Sequence, residues 1–134
     1  MTSNNQDKKT YVTIPGKGDH ELSSLLDTIN YLRQLTWTYK VWTPTPALID
    51  KTGGSSRKYV GQKYDPNYID LVADGWTHDH CEVCYEVISD IETDSDKDGY
   101  TTDNSEWLCK DCYKLFIKPA NANEIIGSLK TTEK

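Results

Sequence analysis

The residues of this chain best suited to specific chemistry are four cysteines, which form two pairs with the same internal spacing. Cys81 and Cys84 make one C-x2-C pair, Cys109 and Cys112 make the other, and 24 residues separate the pairs. A C-x2-C turn directs two sulfurs to one point, and two such turns supply the four thiolates of a closed tetrahedral zinc site. The spacing therefore predicts one structural Zn²⁺, while disulfides, a redox pair and unrelated free thiols are the alternatives.

Two kinds of ring side chain stand beside the cysteines. His78 and His80 immediately precede Cys81, where either could replace a cysteine as a ligand. Because four cysteines already complete a tetrahedron, we expect both histidines to lie beside the site or at the surface. Trp76 and Trp107 precede the two pairs, and we expect them to pack over the metal module and join it to the rest of the chain.

The same histidines are the main argument for catalysis. His80 and Glu82 match the H-x-E part of the zinc-deaminase pattern, but Leu108 stands where that pattern requires proline before the second pair. A metal closed by four protein ligands has no position for a reactive water. The sequence therefore predicts a protein that is not an enzyme, and a metal-dependent enzyme using His78 or His80 is the alternative.

The order of parts around the cysteines resembles a known class of metal module. Cys81-Glu-Val-Cys84, a polar insert and then Trp107-Leu-Cys-Lys-Asp-Cys112 resemble a treble-clef or zinc-ribbon module, similar in layout to the zinc-binding module of ClpX unfoldases. The resemblance covers residues 76–118. It implies a β-hairpin, a short helix opened by the second pair, and a role in recruiting proteins. The N-terminal part shows no such resemblance, and no ATPase motif accompanies the module.

The insert between the cysteine pairs contains regularly spaced acidic residues and a glycine: Asp94, Asp96, Asp98 and Gly99. This is the first half of an EF-hand loop, but its twelfth position is Ser105 where a glutamate is needed, so calcium binding is the weaker interpretation. The stronger one is a hairpin tip, with residues 83–91 and 100–108 as the two strands.

Apolar spacing indicates the elements that precede the metal module. Leucine and isoleucine recur at helical intervals over residues 20–36, and Asp19 is placed to cap that helix. Short strands are predicted at residues 11–14 and 37–42. Residues 65–73 fit either a helix begun at Asp65-Pro66 or a strand through Ile69–Val72.

These elements predict an α+β fold in which one main helix lies against a small, mostly antiparallel sheet. We expect a flexible tail at 1–10, an α+β part at 11–75, the zinc module at 76–118 packed on that part, and an extension at 119–134.

Charge is concentrated around the cysteines. Residues 74–112 contain twelve acids and two bases, whereas the whole chain has a net charge of −6. Such a surface repels a phosphate backbone, so it argues against nucleic acid, which is the alternative partner for a zinc module. It favours a basic protein partner or serves solubility alone. No long apolar run predicts a membrane span, and the first residues do not form a signal peptide, so we expect a cytoplasmic protein.

Overall fold

The computed structural model describes residues 8–91, 94–103 and 105–133. Within them the chain forms three three-stranded sheets, one two-stranded sheet and short helices, which confirms the α+β class. The tail predicted for residues 1–10 lies outside the described residues except for its last three. None of the described helices is long and apolar enough to cross a membrane.

The first sheet unites both ends of the described chain. Its strands are β1 (Thr10–Ile14), β2 (Gly18–Glu21) and β11 (Thr131–Glu133), and β1 lies in the middle with an antiparallel neighbour on each side. The β1–β2 connection is tight because Gly16 and Gly18 adopt φ values of 75° and 80°, which glycine tolerates without strain. This turn places Lys17 at the tip of the hairpin.

Helix α1 (Leu22–Leu32) is shorter than the helix predicted at 20–36. Its N-cap is Glu21, whose side chain accepts the backbone N–H of Ser23, and not Asp19 as the sequence predicted. The difference is tertiary, because residues 18–21 pair with β1 as strand β2 and cannot also be helical. One face of the helix is buried, at Leu25, Ile29 and Leu32.

The second sheet joins the N-terminal region to the insert between the cysteine pairs. Its order is β10 (Glu106–Leu108), β9 (Asp98–Thr102) and β3 (Thr38–Val41), all antiparallel. Strand β3 matches the strand predicted at 37–42. Because β9 pairs with β3 along its other edge, the insert is attached to the body of the protein.

The predicted hairpin of the insert was placed wrongly. Residues 83–91 supply only the two-residue strand β8 (Val87–Ile88), which pairs with β7 (Asp79–His80). The two strands of the observed hairpin, β9 and β10, both lie within residues 98–108, whereas the sequence predicted one strand over residues 100–108 and a turn before it. The chain reverses there because Asp103 adopts a left-handed φ of 51°.

The third sheet supplies none of the buried residues of the main hydrophobic cluster, although Trp76 at its edge packs against that cluster. It contains β5 (Ser56–Lys58), β4 (Thr45–Asp50) and β6 (Ile69–Trp76), with β4 in the middle. The strand alternative for residues 65–73 is thus the one observed. The carbonyl of Asp65 accepts N–H bonds from Tyr68 and the residue after it, which forms a turn that leads into β6.

Three short helical segments begin within or after the second cysteine pair: α2 (Lys110–Cys112), a π-helical turn (Tyr113–Ile117) and α3 (Ala122–Gly127). Arg33, at the C-terminal end of α1, ties the end of the π-helical turn and the following Pro119 to the body of the protein. Its Nη1 donates to the carbonyls of Phe116 at 2.7 Å, Ile117 at 3.2 Å and Pro119 at 2.7 Å. One guanidinium thus satisfies carbonyls that the helix end leaves free.

A single hydrophobic cluster connects the N-terminal elements to the cysteines. Its largest fully buried side chains are Trp42, Trp107 and Phe116, and it also contains the buried face of α1. All four cysteines belong to the same cluster. The metal module therefore shares its core with the preceding part of the chain.

Candidate metal centre

Short elements place the four cysteines around one point. Cys81 directly follows β7, and Cys84 ends the turn that this strand enters. Cys109 follows β10 and caps α2, and Cys112 is the last residue of that helix. Their sulfur atoms all lie within 4.8 Å of one another, and all four residues are buried.

The distances fit a tetrahedral metal ion. Zinc–sulfur bonds of about 2.3 Å in a tetrahedron place two sulfurs about 3.8 Å apart. The Sγ atoms of Cys84 and Cys109 are 3.8 Å apart. A disulfide needs about 2.05 Å, and all four cysteines are free thiols. The four cysteines are therefore positioned to bind a metal ion.

Backbone and sulfur hydrogen bonds prepare the site for thiolates. The N–H groups of Val83 and Cys112 each donate to a cysteine sulfur, Cys81 and Cys109 respectively, at 3.4 Å. Hydrogen bonds from Cys109 and Cys112 hold the pKa of Cys81 far below that of a free thiol. The hydrogen bonds with Cys109, Cys81 and Cys84 raise the pKa of Cys112. A metal ion bound by these sulfurs would displace the remaining thiol protons.

The first cysteine turn has a strained backbone position. The N–H of Tyr85 donates to the carbonyl of Cys81 at 2.9 Å, and the N–H of Cys81 donates to the carbonyl of Glu86 at 2.8 Å. Closing the turn in this way gives Tyr85 a φ of 67°, which is unfavourable for a side chain with a Cβ. Its ring is 67% exposed and therefore contributes little packing in return.

The two cysteine turns are connected through Trp107. Cys81 forms an isolated parallel bridge with Trp107, and the N–H of Glu82 donates to the Trp107 carbonyl at 2.9 Å. Trp107 is 2% exposed and belongs to the same hydrophobic cluster as the cysteines. Trp76 is partly buried against that core.

A polar network beside the site was not predicted from the sequence. Its centre is Asp79, whose carboxylate accepts the indole N–H of Trp42 at 2.9 Å and that of Trp76 at 3.1 Å. The Lys58 ammonium lies 3.3 Å from the same carboxylate. These bonds fix the strand immediately before Cys81. The local sequence holds no signal for them, because the three partners come from different elements.

The two histidines stand next to the cysteines without joining them. The rings of His78 and His80 form an edge-to-face pair with centroids 4.9 Å apart. Among the described residues, the side chains positioned to hold a metal ion are those of the four cysteines, and neither histidine belongs to this group.

The three aspartates of the calcium pattern point to different partners. Asp98 lies in β9, where its carboxylate accepts the Tyr39 hydroxyl and binds the Lys110 ammonium at 2.9 Å. These bonds lower the pKa of Asp98. Asp94 adopts a left-handed φ of 64° in the turn, and Asp96 forms a bridge with Ile88. These aspartates form no ligand group within residues 94–103 of the structure.

An acidic cleft of about 260 Å³ lies between the start of α1 and the first cysteine turn. Its wall carries the carboxylates of Asp19, Glu21 and Glu82, together with the Tyr85 ring. Partial burial, and the nearby charges of Glu106 and Asp79, raise the pKa of Glu82. The cleft therefore adds to the negative potential around the cysteines.

No protein-family model, curated protein or solved structure matches this chain.

Proposed function

We propose that the chain is a small zinc protein in which Cys81, Cys84, Cys109 and Cys112 hold one structural Zn²⁺, and that it acts as a protein-binding module of the adaptor type. The zinc proposal rests on the convergence of the four buried sulfur atoms, of which those of Cys84 and Cys109 lie 3.8 Å apart. Four thiolates leave no coordination position for water, so the metal serves folding and not catalysis.

The arrangement of elements supports the treble-clef resemblance. In order, the chain has a cysteine turn, the β9–β10 hairpin, and a short helix that is capped by Cys109 and ends at Cys112. This is the sequence of parts that the resemblance implies. Modules of that layout recruit other proteins, and we extend that role to this chain.

The charge of the module supports a basic partner. Residues 74–112 contribute a net −10, and four thiolates on one Zn²⁺ add a further −2. Glu86 follows the first cysteine turn and Asp111 lies within the second, and both are exposed although each also contacts Lys17. We propose that Lys- and Arg-rich protein segments bind here, and that the protein works in the cytoplasm, where thiolates persist.

Native mass spectrometry of the full chain, before and after treatment with a strong chelator, tests the zinc site. We expect one Zn²⁺ per chain and thiols that become reactive only after the metal is removed. Substitution with Co²⁺ should give the absorption spectrum of tetrahedral sulfur coordination. A mass lower by two hydrogens per disulfide, with no metal, would contradict the proposal.

Two charge-reversal variants, one in the acidic cleft and one on a different sheet, test whether a basic partner binds the acidic surface. Glu82→Lys changes the acidic cleft, whereas Asp70→Lys makes the same change in β6, on the sheet that lies outside the main core. In affinity capture, we expect specific partners to be lost with Glu82→Lys and kept with Asp70→Lys. Equal recovery with both variants would refute the acidic-surface interpretation. Salt-sensitive binding of RNA or DNA would refute the choice of a protein partner.

A further inference from the structure

A lysine at the tip of a hairpin is normally surrounded by solvent, but Lys17 is not. Its side chain is 9% exposed, although it lies in the tight β1–β2 turn. The tip of the hairpin is covered because Lys17 contacts the region of the cysteine turns, which lies more than sixty residues further along the chain. A buried ammonium needs partners to compensate for lost hydration.

The partners of Lys17 belong to both halves of the metal site. Its ammonium donates to the carboxylate of Glu86 and lies 3.4 Å from the carboxylate of Asp111. Glu86 Oε1 is in turn 3.6 Å from the Sγ of Cys84. Asp111 lies between the two cysteines of the second pair. Lys17 therefore reaches across the sulfur cluster from outside the module.

The charge around the site makes this cation significant. Four thiolates and one Zn²⁺ carry a net −2, in a segment with twelve acids and two bases. Burial alone would lower the pKa of Lys17, but the hydrogen bond to Glu86 and the charges of Cys109, Glu86 and Cys84 raise it above its ordinary value. Lys17 is therefore charged at every physiological pH.

We propose that Lys17, which the β1–β2 turn places beside the metal site, compensates the negative charge of that site. Its ammonium increases the affinity for zinc and slows the reactions of the thiolates. The proposal rests on the zinc site proposed above. It assigns to the N-terminal hairpin a role in the metal chemistry of the C-terminal module. The residue positions charge and makes no bond to the metal.

A purely mechanical role makes a different prediction. If the Lys17–Glu86 ion pair only fastened the hairpin to the module, removing either partner would weaken zinc binding equally. If Lys17 compensates charge, removing Glu86 has the opposite effect, because its carboxylate is a negative charge 3.6 Å from the Cys84 sulfur. Glu86→Gln should then bind zinc as tightly as the wild type, or more tightly.

The experiment measures Zn²⁺ affinity by competition with a chromophoric chelator, and the alkylation rate of the thiols in the zinc-loaded full chain. Lys17→Met removes the charge at similar length, Lys17→Arg keeps it, and Lys51→Met is a matched control at an ion pair on the third sheet. We expect Lys17→Met to weaken affinity about 10- to 100-fold, the range for residues that support metal ligands, and to speed alkylation. Lys17→Arg should restore most of the affinity, and Lys51→Met should change nothing.

Several results would overturn the proposal. Unchanged affinity in Lys17→Met would do so, as would a Lys17→Arg variant that is as weak as Lys17→Met. Glu86→Gln decides the question even if Lys17→Met does not fold, because weakened binding there contradicts charge compensation and unchanged or stronger binding supports it. Failure of the zinc site itself would appear separately, as a wild-type chain that binds no Zn²⁺.

Discussion

Replacing Gly99 by alanine tests how closely β9 and β10 approach each other beside the candidate metal site. Gly99 lies in β9 and is buried against β10. A Cβ built there would lie 2.5 Å from the carbonyl oxygen of Leu108 and 3.5 Å from its carbonyl carbon. The obstacle is backbone, so no side-chain rotation can relieve it. The residue that follows Leu108 is Cys109 of the candidate metal site, so a shift of β10 displaces that cysteine as well.

The magnitude follows from the nature of the clash. Overpacking a core costs about 1–3 kcal/mol, and we place Gly99→Ala near the upper end because the strand must move as a unit. For a chain of this size, each kcal/mol lowers the melting temperature by about 4 °C. We therefore expect a fall of about 8–12 °C, together with weaker zinc binding.

The chain provides a matched control for the same substitution. Gly127 is the last residue of α3, and a Cβ built there meets no atom within 4 Å. Gly127→Ala should leave stability unchanged or raise it by up to about 1 kcal/mol, since alanine favours helix. Both variants would be measured by calorimetry of the zinc-loaded protein.

The reasoning would be refuted by a Gly99→Ala variant that melts within about 2 °C of the wild type. The same experiment separates two roles for this glycine. If it served a calcium loop, the loss of stability would depend on added Ca²⁺. The close approach of β10 predicts the same loss with and without Ca²⁺.

Three further predictions concern the metal, the Arg33 bridge and the strained turn. Removing zinc should abolish the hydrogen-exchange protection of residues 79–112, because metal binding and folding are coupled; an unchanged exchange pattern would contradict a structural metal. Arg33→Met should lower the free energy of unfolding by about 2–3 kcal/mol in urea titrations, since three carbonyls lose a charged donor, and a loss below about 0.5 kcal/mol would contradict that role. Tyr85→Gly should stabilise the protein by about 1 kcal/mol by relieving the left-handed φ, whereas a lower urea midpoint would show that the exposed ring matters more.

The candidate site could be predicted from the sequence because its ligands are set by local spacing. Each C-x2-C turn directs its own two sulfurs, so the only tertiary requirement is that the two turns meet. The identity of the metal, the absence of catalysis and the boundaries proposed for the four segments remain predictions. Lys17 and Asp79 could not be predicted, because their roles depend on which loops meet in space.

The positions of the helices and strands could also be predicted only in part from the sequence. The leucine spacing predicts the centre of α1 correctly, but its first residues belong to a strand because β1 offers them a partner. In the insert, alternation alone could not show where the chain turns. The hairpin formed within residues 98–108 because β9 also pairs with β3, a contact between segments about sixty residues apart.

The position of β11 has a consequence for how the protein is made. Strand β1 lies between β2 and β11, but β11 comes about 120 residues later in the chain, so a ribosome makes β1 long before its second neighbour. Until then β1 presents an open edge that can pair with other chains. The two cysteine turns are also translated before β11, so the proposed zinc site has all its ligands while the first sheet still lacks a strand.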